Sequence, residues 1–486
     1  MVDTLIGFAC LLLLSASSIA LGNRMGQTRP ALVLASGFLA TTAGLVALNL
    51  LLNLLGSSFA YYPLSFALVV AAIVFTSKSW FADRKALLPA RLMALGAATV
   101  SFLLIGVLHF RGAPSYDSTF VLSLSHLIQS GEPFSLASDY FKRGLAYPIL
   151  HSFSQLGHFA PMITVFMAIL VGLLAIELIG TVLAKLNGAI SRRAGLVAYA
   201  VTALIVFTSP MVWNAALYIR EHTLVALAVG LLFTLLVNLS TQPAQKIDRP
   251  DFLAWMAASI VVAASRPEGV AIALIFTLAI YGRLSRTQRI ALVTSPIAVV
   301  LIWLQNLHYS ALPKLVIDQP WLVLPILLVV AAVAFIQFGQ EFLSLVPALL
   351  LGLLAAIFVA ELSLFYGSLA KGIQSQFVNL VLQKGGWGLL MVAALLALVA
   401  ALVWRGFAIE RLALFTLASL LLLFLIAKTL DLGILEGRPD LGRVGISDSL
   451  NRMWLHLLLP LSVVLYFGIA GVFQKLLVPK TKGVKS

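Results

Sequence analysis

Long apolar runs alternate with short polar stretches along almost the whole chain. An α-helix needs about 20 predominantly apolar residues to cross the hydrocarbon core of a bilayer. The pattern therefore predicts an all-α polytopic membrane protein with about 13–15 transmembrane helices and one large external loop. The apolar runs lie near residues 4–22, 30–55, 61–77, 92–109, 161–184, 195–209, 222–240, 252–265, 268–281, 290–306, 321–337, 342–366, 387–404, 412–430 and 453–473.

The composition agrees with this class. Apolar residues make up 61% of the 486 residues and charged residues only 10%, with a mean hydropathy of +1.05. Soluble domains carry about a quarter charged residues, so a water-soluble enzyme is excluded. The single cysteine, Cys10, excludes a disulfide framework and a thiolate metal site. The N-terminus has Asp3 and no basic segment, so we expect the first helix to be retained rather than cleaved as a signal peptide.

The net charge of +14 is distributed unevenly between the loops. One set of alternating loops, together with the tail 474–486, holds 20 of the 32 basic residues but only 5 of the 18 acidic ones. Lys and Arg concentrate in the cytoplasmic loops of membrane proteins. The excess charge therefore reports orientation, and no nucleic-acid partner is expected. We expect residues 110–160 to face the periplasm or exterior, and Ser79–Lys85 and the tail to face the cytoplasm.

The predicted cytoplasmic loops are short and contain neither a Walker nor a Rossmann glycine pattern. A nucleotide-driven pump and a cytosolic nucleotide-sugar enzyme are therefore not expected. The chemistry-bearing residues lie instead in the predicted external loops.

Asp117 stands near the start of the largest external loop. An amphipathic stretch follows it, with apolar residues at Val121, Leu124 and Ile128, and ends at Gly131. This spacing predicts a helix that lies along the membrane surface. Asp117 is then an N-cap of this helix, a carboxylate aimed at the adjacent cavity, or both.

The same loop contains an adjacent basic pair, Lys142 and Arg143, three residues after Asp139. Arg offers a planar fork that matches phosphate, and Lys offers a compact point charge. The pair therefore indicates a phosphate site, although a solvated loop or a lipid-headgroup contact fits the composition equally well.

Two further polar groups lie at the outer ends of predicted spans. Tyr218, Arg220, Glu221 and His222 open the seventh span, either as an interfacial belt with an Arg220–Glu221 pair or as groups facing a cavity. The turn Arg-Pro-Glu-Gly at 266–269 separates the two shortest runs. Pro- and Gly-interrupted spans line cavities at membrane depth, and the alternative is a salt bridge within this turn that stabilises it.

The last external loop holds Arg438 and Arg443, and after them Asp448, Arg452 and His456 at i, i+4 and i+8. This spacing places the last three on one helix face. No histidine or carboxylate spacing in the chain supports a metal site, so a divalent cation is possible as a cofactor but is not indicated.

The order of these elements resembles the GT-C superfamily of integral membrane glycosyltransferases, which use lipid-phosphate sugars. The matching residues are Tyr116-Asp117, the stretch to Gly131-Glu-Pro-Phe134, the segment 140–148 and the turn at 266–269. An Arg-containing last outer loop before a Leu- and Pro-rich helix also matches. The resemblance covers roughly 92–473. Three helices precede the one that leads into the large loop, so 1–91 is expected to be an N-terminal addition.

The resemblance implies an inverting enzyme that moves a sugar from a polyprenyl-phosphate donor to a lipid- or glycan-linked acceptor on the external face of the membrane. It implies that Asp117 is the general base, with Asp139, Glu221 and Asp448 as secondary carboxylates. Lys142, Arg143, Arg220 and Arg266 are expected to bind the lipid phosphate. Acceptor-side candidates are Tyr218, His222, Glu268, Arg443, Arg452 and His456.

Two other functions remain open from the sequence. Many spans and charges at membrane depth also suit a transporter or flippase of a lipid-linked glycan. An external-face glycan ligase or polymerase would use a lipid diphosphate donor. The basic and histidine residues of the last loop, rather than Asp117, would then be the main candidates for the active site.

Overall fold

The computed structural model describes residues 2–82, 84–110, 116–131, 144–154, 158–186, 189–217, 221–240, 246–266, 268–308, 374, 377–382, 386–403, 408–436 and 453–477. Its α-helices in this part of the chain are α1 (Val2–Arg24), α2 (Pro30–Leu54), α3 (Tyr61–Ala82), α4 (Arg84–Phe102), α5 (Tyr116–Ser130), α6 (Ala146–His151), α7 (Phe159–Lys185), α8 (Arg192–Phe207), α9 (Pro210–Leu217), α10 (His222–Ser240), α11 (Arg249–Ser265), α12 (Gly269–Ala279), α13 (Arg286–His308), α14 (Leu389–Val403), α15 (Ala408–Glu436) and α16 (Leu458–Leu477). Short 3₁₀ or π segments are Ser58–Ala60, Leu103–Val107, Tyr281–Arg283, Phe377–Val381 and Trp454–Leu457.

Among the described residues, seven helical segments are long and apolar enough to cross a membrane, or eight if α8 and α9 form one span bent by 52°. The predicted class, an all-α polytopic membrane protein, is confirmed. The apolar runs at 321–337 and 342–366 lie outside the described residues. The seven segments are Val2–Arg24, Pro30–Leu54, Ser58–Thr76, Ala86–Val107, Phe159–Lys185, His222–Ser240 and Trp454–Gln474.

Several helices extend beyond their apolar runs. The run at 61–77 belongs to a helix that continues to Ala82, and the run at 92–109 belongs to one that begins at Arg84. An apolar run marks only the part of a helix that is suited to lipid. Lys, Arg and Ala are strong helix formers, so the helix continues through them outside that part.

The chain divides into two compact units. The first consists of Met1–Val171 and Ala215–Val346, and the second of Gly172–Asn214 and Pro347–Ser486. In the first unit, α2 packs against α1, α6, α10 and α11. The N-terminal helices α1–α3 therefore belong to the same compact unit as α10–α13.

Three of the loops predicted to be cytoplasmic meet at one end of the first unit. Gln27, in the turn between α1 and α2, donates a hydrogen bond from Nε2 to Oδ1 of Asp251 at 2.9 Å. The amide of Ile247, just before α11, donates to the carbonyl of Arg283 at 3.0 Å, just after α12. These contacts define what we call the basic end of the unit.

The described parts of the predicted external loop lie at the opposite end of the first unit. Ser58, four residues after α2 ends, donates from Oγ to the Gly131 carbonyl at 2.7 Å. Tyr61 donates from its hydroxyl to the Ile149 carbonyl at 3.2 Å. We call this the outer end.

The two shortest apolar runs form a helical hairpin. The Ile247–Arg283 hydrogen bond joins the start of α11 to the end of α12. The chain therefore runs away from the basic end along α11 and comes back to it along α12. The hairpin packs on α13 through Ala263, Val270 and Val293. With 17 residues, α11 is about 25 Å long. Arg266 and Glu268 therefore form the hairpin tip, at the outer end.

A helix is present where the sequence predicts one after Asp117, and its predicted position along the membrane surface stays a prediction. This helix is α5, which ends at Ser130, just before Gly131, and its residues Val121, Leu124 and Ile128 are buried. This buried stripe packs α5 against α6 and α3.

In the second unit, Ser191 fixes the start of α8. Its Oγ accepts a hydrogen bond from the Ala194 amide at 3.3 Å, which satisfies one of the free donors of the first turn. Its own amide donates to Oε1 of Gln474, near the end of α16, at 2.8 Å.

Candidate functional site

The hairpin tip owes its shape to the Arg266-Pro267 step and to Gly269. Arg266 precedes Pro267 in the sequence, and a residue before proline is disfavoured in the helical conformation. It adopts extended backbone angles, φ −155° and ψ 152°, which end α11. At Gly269 a Cβ atom would lie only 1.9 Å from the Val262 carbonyl oxygen. Glycine is therefore required where α12 turns back against α11.

Arg266 holds two carboxylates at this tip. Its Nη1 donates a hydrogen bond to Oε1 of Glu221 at 3.0 Å, and its Nε donates to Oε1 of Glu268. The side chains of all three residues are at most 9% exposed. Withdrawing an ion from water costs several kcal/mol unless it is paired, so the three charges depend on one another.

These contacts bear on two predictions. The salt bridge predicted as the alternative function of the 266–269 turn is present between Arg266 and Glu268. Glu221 pairs with Arg266 across 45 residues of sequence. The Arg220–Glu221 pair suggested by the sequence lies outside the described residues, because Arg220 is not among them. Phosphate binding by Arg266 stays a prediction.

Glu221 is positioned by the start of α10. Its carbonyl accepts a hydrogen bond from the Val225 amide at 3.0 Å, so the residue immediately precedes the first helical turn. Nε2 of His222 lies 3.9 Å from Oε1 of Glu221, and both residues are 4% exposed. Residues 222–239 of α10 are all buried, which fixes this end of the helix and therefore the carboxylate.

The end of the large external loop lies directly against the hairpin tip. The Leu145 amide donates a hydrogen bond to the Ala264 carbonyl at 2.7 Å. Gly144 has a φ of +76°, and a Cβ atom there would lie 1.9 Å from the Ser265 carbonyl oxygen. Only glycine combines this left-handed backbone with such a close approach. We call this contact, Gly144 and Leu145 against Ala264 and Ser265, the clasp.

The clasp connects two basic motifs that are far apart in the sequence. Arg143 immediately precedes Gly144, and Arg266 immediately follows Ser265. The sequence pattern identified both basic motifs but not the contact between their neighbours. Its one sequence signal is a glycine directly after the basic pair, and that glycine was not among the candidate site residues.

Behind the clasp lies a buried polar group in α6. The Tyr147 hydroxyl shares a hydrogen bond with Oγ1 of Thr164 at 2.6 Å, and the Tyr147 ring packs edge-on against the His151 ring, with centroids 4.3 Å apart. His151 is 1% exposed, and neither ring nitrogen has a hydrogen-bond partner among the described residues. Burial lowers the pKa of His151 to about 3, so its imidazole is neutral at physiological pH.

Asp117 is the second residue of α5. Because this helix already includes Tyr116, the interpretation of Asp117 as the N-cap is wrong: the helix begins earlier than the apolar spacing indicated. A carboxylate in the first turn of a helix still interacts favourably with the helix dipole.

His456 belongs to the second unit. It lies in the 3₁₀ segment Trp454–Leu457, is 1% exposed, and packs its ring edge-on against Phe424, with centroids 5.5 Å apart. The remaining predicted site residues lie outside the described part of the chain, namely Asp139, Lys142, Arg143, Tyr218, Arg220, Arg443, Asp448 and Arg452.

Among the described residues, no three His, Cys, Asp or Glu side chains are grouped closely enough to hold a metal ion. No protein-family model, no curated protein and no solved structure matches this chain. Among the described residues, the arrangement that bears on function is a buried arginine between two carboxylates at the hairpin tip, with the end of the external loop held against that tip by the clasp.

Proposed function

We propose that this integral membrane protein is an inverting glycosyltransferase that takes a sugar from a polyprenyl-phosphate donor. The acceptor is a lipid- or glycan-linked hydroxyl group. The observation that carries the proposal is the clasp, because it joins the chain beside Arg143 to the chain beside Arg266. Resemblance to the GT-C superfamily, carried by Asp117 and these two motifs, supplies the reaction type.

The donor needs cationic groups around its phosphate. When the anomeric C–O bond breaks, the electron pair passes to the phosphate oxygen, and preorganised positive charge stabilises that charge as it develops. Lys142, Arg143, Arg220 and Arg266 supply it in this proposal. The donor is already activated, so no nucleotide is required.

Asp117 takes the proton of the acceptor hydroxyl as its oxygen attacks the anomeric carbon. The packing of the helix that carries Asp117 supports this role. The helix that carries Asp117, α5, packs against α6, and α6 begins directly after Leu145 of the clasp. Asp139, Glu221 and Asp448 are the carboxylates that would replace Asp117 in this role.

The site faces the periplasm or cell exterior in this proposal, and the C-terminal tail faces the cytoplasm. The support is the separation of the two ends of the first unit. The basic end carries the Arg283 and Ile247 loops, whereas the hairpin tip lies at the outer end. Basic loops are typical of the cytoplasmic side.

The decisive experiment incubates the purified protein in detergent with polyprenyl-phosphate sugars and measures the release of free polyprenyl phosphate. Release that depends on an added glycan or glycolipid acceptor supports the proposal. No release with any hexose or pentose donor, from protein that remains folded, contradicts it.

A lipid-linked-glycan flippase is a second candidate, favoured by the α11–α12 hairpin. Helix pairs too short to span a bilayer, with charges at their tip, are also used by transporters at their substrate sites. Reconstituted vesicles distinguish the two functions: a flippase moves a fluorescent lipid-linked glycan across the bilayer without cleaving it, and a transferase cleaves the sugar–phosphate bond.

A further inference from the structure

The guanidinium group of Arg266 has two edges at which an acceptor can form two parallel hydrogen bonds. One edge is Nε with Nη2, and the other is Nη1 with Nη2. Bidentate binding along one such edge is the strong mode of arginine–phosphate recognition. Glu268 occupies Nε of the first edge, and Glu221 occupies Nη1 of the second. A phosphate can therefore bind along an edge of Arg266 only if one carboxylate leaves.

The two carboxylates differ in how firmly they are held. Glu221 lies at the start of the buried helix α10, is 4% exposed, and has His222 beside it at 3.9 Å. Glu268 is only two residues from Arg266, on the same hairpin tip. Its contact is local, so breaking it leaves the packing of α10 unchanged.

The Glu268 carboxylate also has an alternative partner at the start of α12. Glu268 is the N-cap residue of α12, an 11-residue helix, and its side chain makes no capping hydrogen bond in this structure. The first amides of a helix lack intrahelical partners, and the helix dipole attracts negative charge to them. A carboxylate released from Nε reaches the amides of Val270 and Ala271 when the Glu268 backbone, now at φ −73° and ψ −6°, turns to the extended angles of a capping residue.

We propose that Glu268 is an exchangeable occupant of Arg266. A phosphate monoester takes the place of the Glu268 carboxylate at Nε, and that carboxylate moves onto the first turn of α12, while Glu221 keeps its contact with Nη1. The ligand class, the phosphate monoester of a polyprenyl lipid, rests on the proposed function. The exchange itself rests on the occupied edges and on the unused cap.

The exchange is tested by measuring the affinity of the full-length protein in nanodiscs for polyprenyl phosphate. Glu268→Gln replaces the ion pair with a weaker hydrogen bond from Arg266 to an uncharged amide oxygen, so we expect about tenfold tighter binding. Glu268→Asp is the sharper variant, because it keeps the charge. Its side chain is one methylene shorter and caps helices well, so it too is expected to tighten binding. Arg266→Gln is expected to lose most of the affinity.

Glu221→Gln is the matched control, since it removes the same charge from the other edge. If Glu221→Gln and Glu268→Gln tighten phosphate binding equally and Glu268→Asp does not tighten it, the effect comes only from the loss of negative charge. That result overturns the exchange. Unchanged affinity in both Glu268 variants, or full affinity in Arg266→Gln, overturns it as well. Thermal unfolding of each variant verifies that the protein measured is folded.

Two further arms separate this proposal from the proposed function. Inorganic phosphate and phosphatidic acid replace polyprenyl phosphate as probes, which shows whether a free anion, any lipid phosphate or the polyprenyl lipid is recognised. Tighter binding in the Glu268 variants without any sugar transfer by the unmodified protein supports the exchange and contradicts the transferase. Sugar transfer with unchanged binding in the Glu268 variants supports the transferase and contradicts the exchange.

Discussion

The Leu145 amide donates a hydrogen bond to the Ala264 carbonyl at 2.7 Å, and this contact joins the end of the external loop to the last turn of α11. The neighbouring residue Gly144 makes the approach possible, because a Cβ atom at this position would lie 1.9 Å from the Ser265 carbonyl oxygen. The clasp therefore depends on one glycine that sits between a basic pair and a fully buried helix.

Gly144→Ala should destabilise the protein through both conformation and contact. A left-handed backbone costs a non-glycine residue about 1–2 kcal/mol, and the collision with Ser265 adds about 1–3 kcal/mol of overpacking. Gly56→Ala is the matched control, because Gly56 has a similar φ of +65° and no atom within 4 Å of its Cβ position. Thermal unfolding in detergent should show a clearly larger loss for Gly144→Ala. Equal losses would mean that the close approach to Ser265 contributes nothing.

Asp117→Asn should separate catalysis from stability. Asn cannot accept a proton usefully, and a general base contributes about 10²–10⁴ in rate. Loss of the first-turn charge costs only about 0.3–1 kcal/mol. We therefore expect sugar transfer to fall at least about 10²-fold, with donor binding and thermal stability nearly unchanged. Near-normal turnover would leave Asp117 a structural residue and move attention to Asp139, Glu221 and Asp448.

The predicted orientation is tested by cysteine labelling of intact cells. Cys10 is 8% exposed and is the only native cysteine, so a Cys10→Ala background is suitable. Cysteine in place of Ala137 should react with a membrane-impermeant reagent from outside. Cysteine in place of Ser79 is the opposite-side control and should react only after permeabilisation. Labelling of position 137 only from the cytoplasm would reverse the proposed orientation of the whole site.

His151 predicts a pH dependence of stability. Its pKa is about 3 in the folded protein and about 6.5 in an unfolded chain. Between these values the unfolded state binds the extra proton, so the free energy of unfolding decreases as the pH falls from about 6.5 towards 3. His151→Phe keeps the ring against Tyr147 and should reduce the loss of thermal stability between pH 7 and pH 5.

The control for this prediction is His126→Phe, since His126 lies on the exposed face of α5. This variant should retain the pH dependence of the unmodified protein. An identical slope in the His151 and His126 variants would mean that carboxylates alone cause the acid sensitivity.

The sequence by itself determined the class of this protein and most of its helices. Lipid imposes a run of about 20 apolar residues on each spanning helix, and this local requirement identified α1, α2, α7 and α10. It also identified the break after Ser265, because proline restricts the residue before it wherever it occurs. Likewise, the spacing of Val121, Leu124 and Ile128 was sufficient to place α5.

Only the tertiary structure decided which polar residues meet. The sequence suggested two local pairs, Arg220 with Glu221 and Arg266 with Glu268. The packing of α10 beside the hairpin also brings Glu221 to Arg266. Among the 34 glycines, Gly144 is distinguished in the sequence only by its place directly after Lys142 and Arg143, and that place does not indicate a close contact with Ser265. Such contacts depend on how well whole helix surfaces fit together, and residues more than 100 positions apart contribute to each fit. Local periodicity describes one helix at a time and therefore cannot predict them.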